Sequence, residues 1–330
     1  MVQAGFPRRS HGSGLPRQCR EDPRPRACEG RSVMIKAIGH VGLRVPDLDR
    51  SVQWATTVMG LREVERTDGT VYMTHGGVHH SLLYVQAGQA ALDHVALEAQ
   101  DERALHQLRE RLARDGVEVL SERPEELGIE QAIRFRGPEG HVFEVFCGMA
   151  ADQPRHTGRG VQPRKFGHPM LKCKDPAETR QFLERLLGFR LSDDVGDGTL
   201  LFLRCNPDHH GIGITKGGEG LHHYAWEVDS LAILGQLGDV LEKNGGRFLW
   251  GPGRHGAGGN LFTYHLDPAG CVVEYYADLI RVYDEASYRP GRWAMSDYRF
   301  ANLWGPGIPG HEFFDAGAPL PRTGTTTRRQ

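Results

Sequence analysis

Asp93-His94-Val95-Ala96-Leu97-Glu98 and His222-His223-Tyr224-Ala225-Trp226-Glu227 are one phrase written twice. The echo runs in both directions at a nearly constant offset of about 128–130 positions. Upstream, His79-His80 answers His209-His210, and His40-Val-Gly-Leu-Arg-Val-Pro-Asp answers His168-Pro-Met-Leu-Lys-Cys-Lys-Asp. Downstream, Gly137-Pro-Glu-Gly answers Asp267-Pro-Ala-Gly, and Phe143-Glu144-Val-Phe answers Val273-Glu274-Tyr-Tyr. A fixed offset held over such a length marks a duplicated module.

Each module also repeats within itself. The strand of His40 leads to a helix over Leu48–Met59 closed by Gly60, and the strand of His94 leads to a helix over Arg103–Asp115. In the second module the helices fall at Ala177–Leu187, closed by Gly188, and at Ser230–Asn244. Asp-containing entries and Gly exits punctuate them. Short Val/Leu/Phe/Tyr alternations between Gly-Pro-Asp turns supply the remaining strands. The expectation is an α+β fold of four βαβββ units forming two tandem modules, with antiparallel sheets carrying helices on their outer faces.

Residues 1–33, rich in Arg, Pro and Gly, read as a disordered extension, with Met34 as a candidate natural start. The first module spans 34–150, a polar linker 151–162 and the second module 163–288. Over 289–330 Pro, Gly and aromatic residues alternate without period, which reads as an irregular tail packed on the core with its last ten residues frayed.

Composition narrows the function classes. Forty basic and 42 acidic residues nearly cancel, so net charge gives no reason to expect a nucleic-acid partner. No apolar run approaches the roughly 20 residues of a membrane span, and 1–33 lacks the apolar core of a secretory signal. Six cysteines are scattered without a Cys-x-x-Cys pair, which points to a reducing, cytoplasmic setting.

Residues 253–274 bring chemistry into view. A Gly-rich loop delivers His255, a strand carries Tyr264, an Asp-Pro-Ala-Gly turn follows, and a second strand bears Glu274. One imidazole, one phenol and one carboxylate read as the end of a metal site that upstream histidines join. Neighbours on a strand face opposite ways, so the match to His94 turns His223 inward and leaves His222 as second choice. A lone strand histidine is more often a satisfied core residue; the weight here comes from several in register.

These motifs resemble the vicinal oxygen chelate superfamily and, within it, the two-module extradiol catechol dioxygenases, over roughly residues 36–280. The resemblance implies iron(II), with manganese(II) as the lesser alternative, held by His168, His223 and Glu274. Two imidazoles and one carboxylate on one face of an octahedral ion leave three adjacent positions for a diol and dioxygen. It further implies His210 as acid–base residue, His255 as hydrogen-bond partner of a substrate oxygen, and Tyr264 as a donor that fixes the intermediate. The implied reaction opens a catechol ring beside its hydroxyls, in aromatic compound degradation, by a homo-oligomer of four or more chains. Arg254 and Lys216 are candidates for contacting a ring substituent, and Trp226 and Tyr275 are pocket or core aromatics.

Two alternatives stand beside this reading. A glyoxalase-like isomerase or lyase with nickel or zinc commonly uses four protein ligands, and a non-enzymatic sequestering protein of the same fold needs none. The first module retains His40, His94 and Glu144 at the ligand positions, but Glu125 stands opposite His255 and Arg134 opposite Tyr264. An arginine where a phenol should assist argues for a structural role.

Overall fold

The computed structural model describes residues 34–153, 155–305 and 311–321. The expectations for 1–33 and 322–330 therefore lie outside the described residues. The first unit comprises β1 (Ile35–Val45), α1 (Leu48–Thr57), β2 (Arg62–Thr67), β3 (Thr70–Thr74) and β4 (Leu82–Gln86). The second comprises β5 (Ala91–Ala99), α2 (Glu102–Arg114), β6 (Val119–Ser121), β7 (Ile129–Arg136) and β8 (Val142–Met149). The third has β9 (Lys165–Cys173), α3 (Pro176–Phe182) running on as a π turn over Leu183–Leu187, β10 (Arg190–Val195), β11 (Leu200–Arg204) and β12 (Ile212–Lys216). The fourth has β13 (Gly220–Glu227), α4 (Leu231–Lys243), β14 (Trp250–Arg254), β15 (Leu261–Leu266) and β16 (Val272–Ala277).

Helix entries follow the sequence punctuation. Asp47 accepts a hydrogen bond from the Arg50 amide at 3.0 Å, Asp101 from Ala104 at 2.8 Å, and Asp175 from Ala177 and Glu178 at 3.0 and 3.1 Å. Each such cap is worth about 1 kcal/mol. Gly188 ends the third unit's helix in the left-handed region at φ 75°, where a side chain would be strained.

Two sheets result, ordered β2-β3-β4-β1-β5-β8-β7-β6 and β14-β15-β16-β13-β9-β12-β11-β10-β17, where β17 is Gly291–Trp293. The expectation of antiparallel sheets is corrected: both are mixed. β1 pairs with β4, β5 with β8, β9 with β12 and β13 with β16 in parallel. The helical crossover returns the chain in its original direction and two hairpins follow, so the fourth strand of each unit must run with the first. At the centre of each sheet two units meet antiparallel, β1 on β5 and β9 on β13.

The C-terminal segment is more regular than its composition suggests. β17 pairs in parallel with β10, and a single helical turn follows at Tyr298–Phe300. The unassigned aromatics prove to be core. Trp226 is fully buried against Phe166 at 5.2 Å between ring centroids, and the Tyr275 hydroxyl lies 3.0 Å from Met59 O and 3.1 Å from Val161 O. Burying a large apolar side chain contributes about 2–3 kcal/mol, and the Tyr275 hydroxyl also links the second sheet to Met59 beyond α1 and to Val161 ahead of β9. Among the described residues no helix is long and apolar enough to cross a membrane.

Candidate metal centre

Strand register converges the three candidate donors. Glu274 on β16 pairs with Ala225 on β13, and Ala225 pairs with His168 on β9, so the three form one row across the sheet. His223 lies two positions from Ala225 on the same strand and hence on the same face. Ala225 offers only a methyl group between them. A β-bulge between Leu221 and His223 re-aims the chain at this point. His222 turns instead toward Phe313, with ring centroids 4.8 Å apart.

The donor atoms make a nearly equilateral triangle. His168 Nε2 and His223 Nε2 each lie 3.1 Å from Glu274 Oε2 and 3.4 Å from one another. An octahedral ion with bonds of about 2.1 Å has ligand–ligand edges of about 3.0 Å, so the triangle fits one face of such a site. All three side chains are buried. Burial alone would raise the Glu274 pKa, but hydrogen bonds from His168 and His223 hold it well below the usual carboxylate range. Burial lowers that of His223. A carboxylate and a neutral imidazole are the forms a divalent ion requires.

The remaining candidates surround this triangle. His210 Nε2 lies 3.4 Å from His168 Nε2, and burial, followed by the nearby His168, lowers its pKa well below the ordinary value. The Gly-rich loop comes close here: a Cβ on Gly258 (φ +84°) would lie 3.4 Å from His210 Cε1. His255 Nδ1 is 2.5 Å from the Ala301 carbonyl and its Nε2 is 3.0 Å from the Tyr264 hydroxyl. Because a carbonyl can only accept, Nδ1–H donates to Ala301 and Nε2 accepts from Tyr264. Burial pushes the His255 pKa down to about 4, which agrees with that neutral tautomer. Tyr264 pairs with Glu274 in register, and burial, then the Glu274 charge, keeps it a phenol.

Two contributors escaped the sequence reading. Asn260 Nδ2 donates to Glu274 Oε1 at 3.2 Å, leaving Oε2 to face the histidines. Its only sequence signal was a polar residue ending the Gly-rich loop. Ala301, whose carbonyl orients His255, gave none. Of the suggested substituent contacts, Arg254 is engaged with Gly259 O at 2.6 Å and Asp278 at 3.1 Å. Lys216 is exposed, paired with Cys173 five positions along β9 from His168.

The first module reproduces the row. Glu144 pairs with Ala96 and Ala96 with His40, while His94 precedes Ala96 by two positions. Arg134 pairs with Glu144 in register, as Tyr264 does with Glu274. Its Nε donates to Glu144 Oε2 at 2.5 Å, and the guanidinium also pairs with Glu126. Glu126, which the sequence reading did not single out, fills the centre. Glu126 Oε2 lies 2.8 Å from His40 Nε2 and 3.1 Å from His80 Nε2, and Oε1 lies 3.1 Å from His94 Nε2. Glu125, opposite His255 in the repeat, stays at the rim, bonded to Arg134 at 3.1 Å.

A family model described as the Glyoxalase/Bleomycin resistance protein/Dioxygenase superfamily matches residues 37–145 and again 165–275. The manganese-dependent 2,3-dihydroxybiphenyl 1,2-dioxygenase of Geobacillus genomosp. 3 is 27% identical, over 82% of this chain and 93% of its own. Metapyrocatechase 2 of Cupriavidus necator is 31% identical, over 63% of this chain and 69% of its own. Among solved structures, the Mn(II)-bound glyoxalase of Novosphingobium aromaticivorans superposes with a TM-score of 0.79 at 30% identity, covering 87% of this chain and 95% of that one.

Proposed function

Since the chain belongs to the Glyoxalase/Bleomycin resistance protein/Dioxygenase superfamily, as a two-module extradiol dioxygenase, we propose that it opens a catechol ring with dioxygen beside, not between, the hydroxyls. The observation that carries this is the row Glu274–Ala225–His168, with His223 beside it and Tyr264 in register with the carboxylate. His168, His223 and Glu274 are taken as the ligands of an iron(II) or manganese(II) ion. Iron is the ion the resemblance implies; the manganese-dependent relative and the Mn(II)-bound neighbour support manganese. Such an ion, when bound, supplies adjacent open positions for the diol and for dioxygen and a route for electrons between them.

The chain's own groups do the rest. His210, kept neutral by burial, takes a proton from a diol hydroxyl at its Nε2 and later returns one. His255, locked by Ala301, presents an accepting Nε2 that holds a hydroxyl hydrogen. Tyr264 carries one O–H, given to His255 at rest, and turning it to a substrate oxygen exchanges one hydrogen bond for another. In this proposal residues 163–288 carry the chemistry, 34–150 support it, and the protein works in the cytoplasm as a homo-oligomer of four or more chains.

The test is anaerobic loading with iron(II) or manganese(II), then addition of a catechol and air. A yellow ring-opened product is expected. Its absence across simple and aryl-substituted catechols, with the ion shown to be bound, would refute the proposal. The solved neighbour called a glyoxalase keeps an isomerase reading in view. Against it, the donor group around His168 has three members among the described residues rather than four.

A further inference from the structure

The first module's cluster contains the residues that would hold an ion and two that fill their midst. His40 Nε2 and His94 Nε2 lie 3.1 Å apart, as close as in a coordinated pair. Glu144 Oε1 is buried without a hydrogen-bond partner, 4.0 Å from His40 Nε2. Every other inward donor is engaged by Glu126 or Arg134. We infer that this cluster is a latent divalent-cation site whose place is held by the chain itself, with the Glu126 carboxylate and the Arg134 guanidinium as internal occupants.

Charge and hydrogen bonding make these occupants hard to displace. The guanidinium brings a permanent positive charge to Glu144, the one carboxylate the row offers. An entering cation would meet that charge at close range with little water to screen it. It would also have to break charge-assisted bonds that the Glu126 carboxylate accepts from three imidazoles. Both occupants are buried, so expelling one takes a charged partner from the other in a site with little water to replace it. Replacing both removes the obstacle and leaves His40, His94 and Glu144 in the layout of the second module.

Chemistry alone identifies the ion class. Two imidazoles and a carboxylate suit first-row divalent ions, and manganese(II) and cobalt(II) serve as probes, cobalt for its visible absorption. The inference depends on the second module's triad only through likeness of layout, and its readout is metal binding rather than turnover. A failure of ring opening therefore leaves it untouched.

The experiment uses the full chain carrying His223→Ala, which disables the second module's site. With Glu126 and Arg134 native, equilibrium dialysis against manganese(II) or cobalt(II) is expected to give no stoichiometric ion. The Glu126→Ala/Arg134→Tyr double variant in that background is expected to bind one ion per chain, with cobalt absorption that disappears when His94→Ala is added. A native first module that retains an ion removable by His94→Ala would overturn the inference, since the site would already be open. So would a folded double variant that binds none. Should circular dichroism show the double variant unfolded, Glu126→Ala/Arg134→Met takes its place with the same two readings.

Discussion

The two modules place the same three residue types on the same three strands, and a small alanine, Ala96 or Ala225, sits in the same gap. What differs is the cross-strand neighbour of the carboxylate. Tyr264 leaves Glu274 facing two histidines, whereas Arg134 reaches over Glu144 and draws Glu126 in behind it. On the proposed reading the same three residue types serve as ion ligands in one module, while in the other a charged side chain on the adjacent strand ties them into a salt-bridged core.

The strongest way to break this comparison is to remove matching histidines. His223→Ala should abolish ion retention and bring turnover to background, read by metal analysis and oxygen uptake. His94→Ala should leave both per folded molecule, but remove one of the four partners of the buried Glu126 carboxylate and lower stability by about 1–3 kcal/mol in denaturant titration. A folded His94→Ala chain without turnover would mean the modules were assigned the wrong way round.

Next in size is the cross-strand position itself. Tyr264→Phe should keep the ion and lose about 100- to 1000-fold in kcat, the usual cost of one hydrogen-bond donor to developing charge. Loss of the ion instead would make Tyr264 a structural support of Glu274. A smaller effect is expected from Asn260→Ala, which frees Glu274 Oε1: ion affinity should fall about 10- to 100-fold by metal titration, the range for groups that orient a ligand. Unchanged affinity would remove Asn260 from the site.

The smallest contrast lies at a matching turn, where Asp267 stands in place of Gly137. Burial raises the Asp267 pKa to about 6. A carboxyl that binds its proton more tightly folded than unfolded makes stability fall as pH rises, here between about 4 and 6, by up to about 3 kcal/mol. Asp267→Asn should flatten that part of the stability profile, measured by denaturant midpoint against pH. An unaltered profile would assign the dependence to another group.

Much of this layout was legible because the chain states it twice. The repeat fixed which histidine of each pair turns inward, and His223 indeed joins His168 and Glu274 while His222 packs on Phe313. Strand direction was misread because periodicity reports which face a residue takes and not which way its strand runs. Glu126 was not singled out, since its counterpart in the repeat is Gly256 and nothing local marks it as inward. Asn260 lies within the 253–274 stretch but carries no mark beyond being a polar loop residue, Ala301 acts through a contact distant from any motif, and β17 is paired through backbone groups that every sequence possesses.

The bond from His255 to the Ala301 carbonyl ties function to the order in which the chain is made. All three proposed ion ligands have been synthesised once Glu274 is added, yet the group that sets the His255 tautomer comes later in the chain and docks from a separate segment. A chain cut in the stretch between Tyr288 and Ala301 would retain every donor to the ion and lose the alignment of the imidazole beside it. Holding the metal and using it thus become separable properties, and the second is completed last.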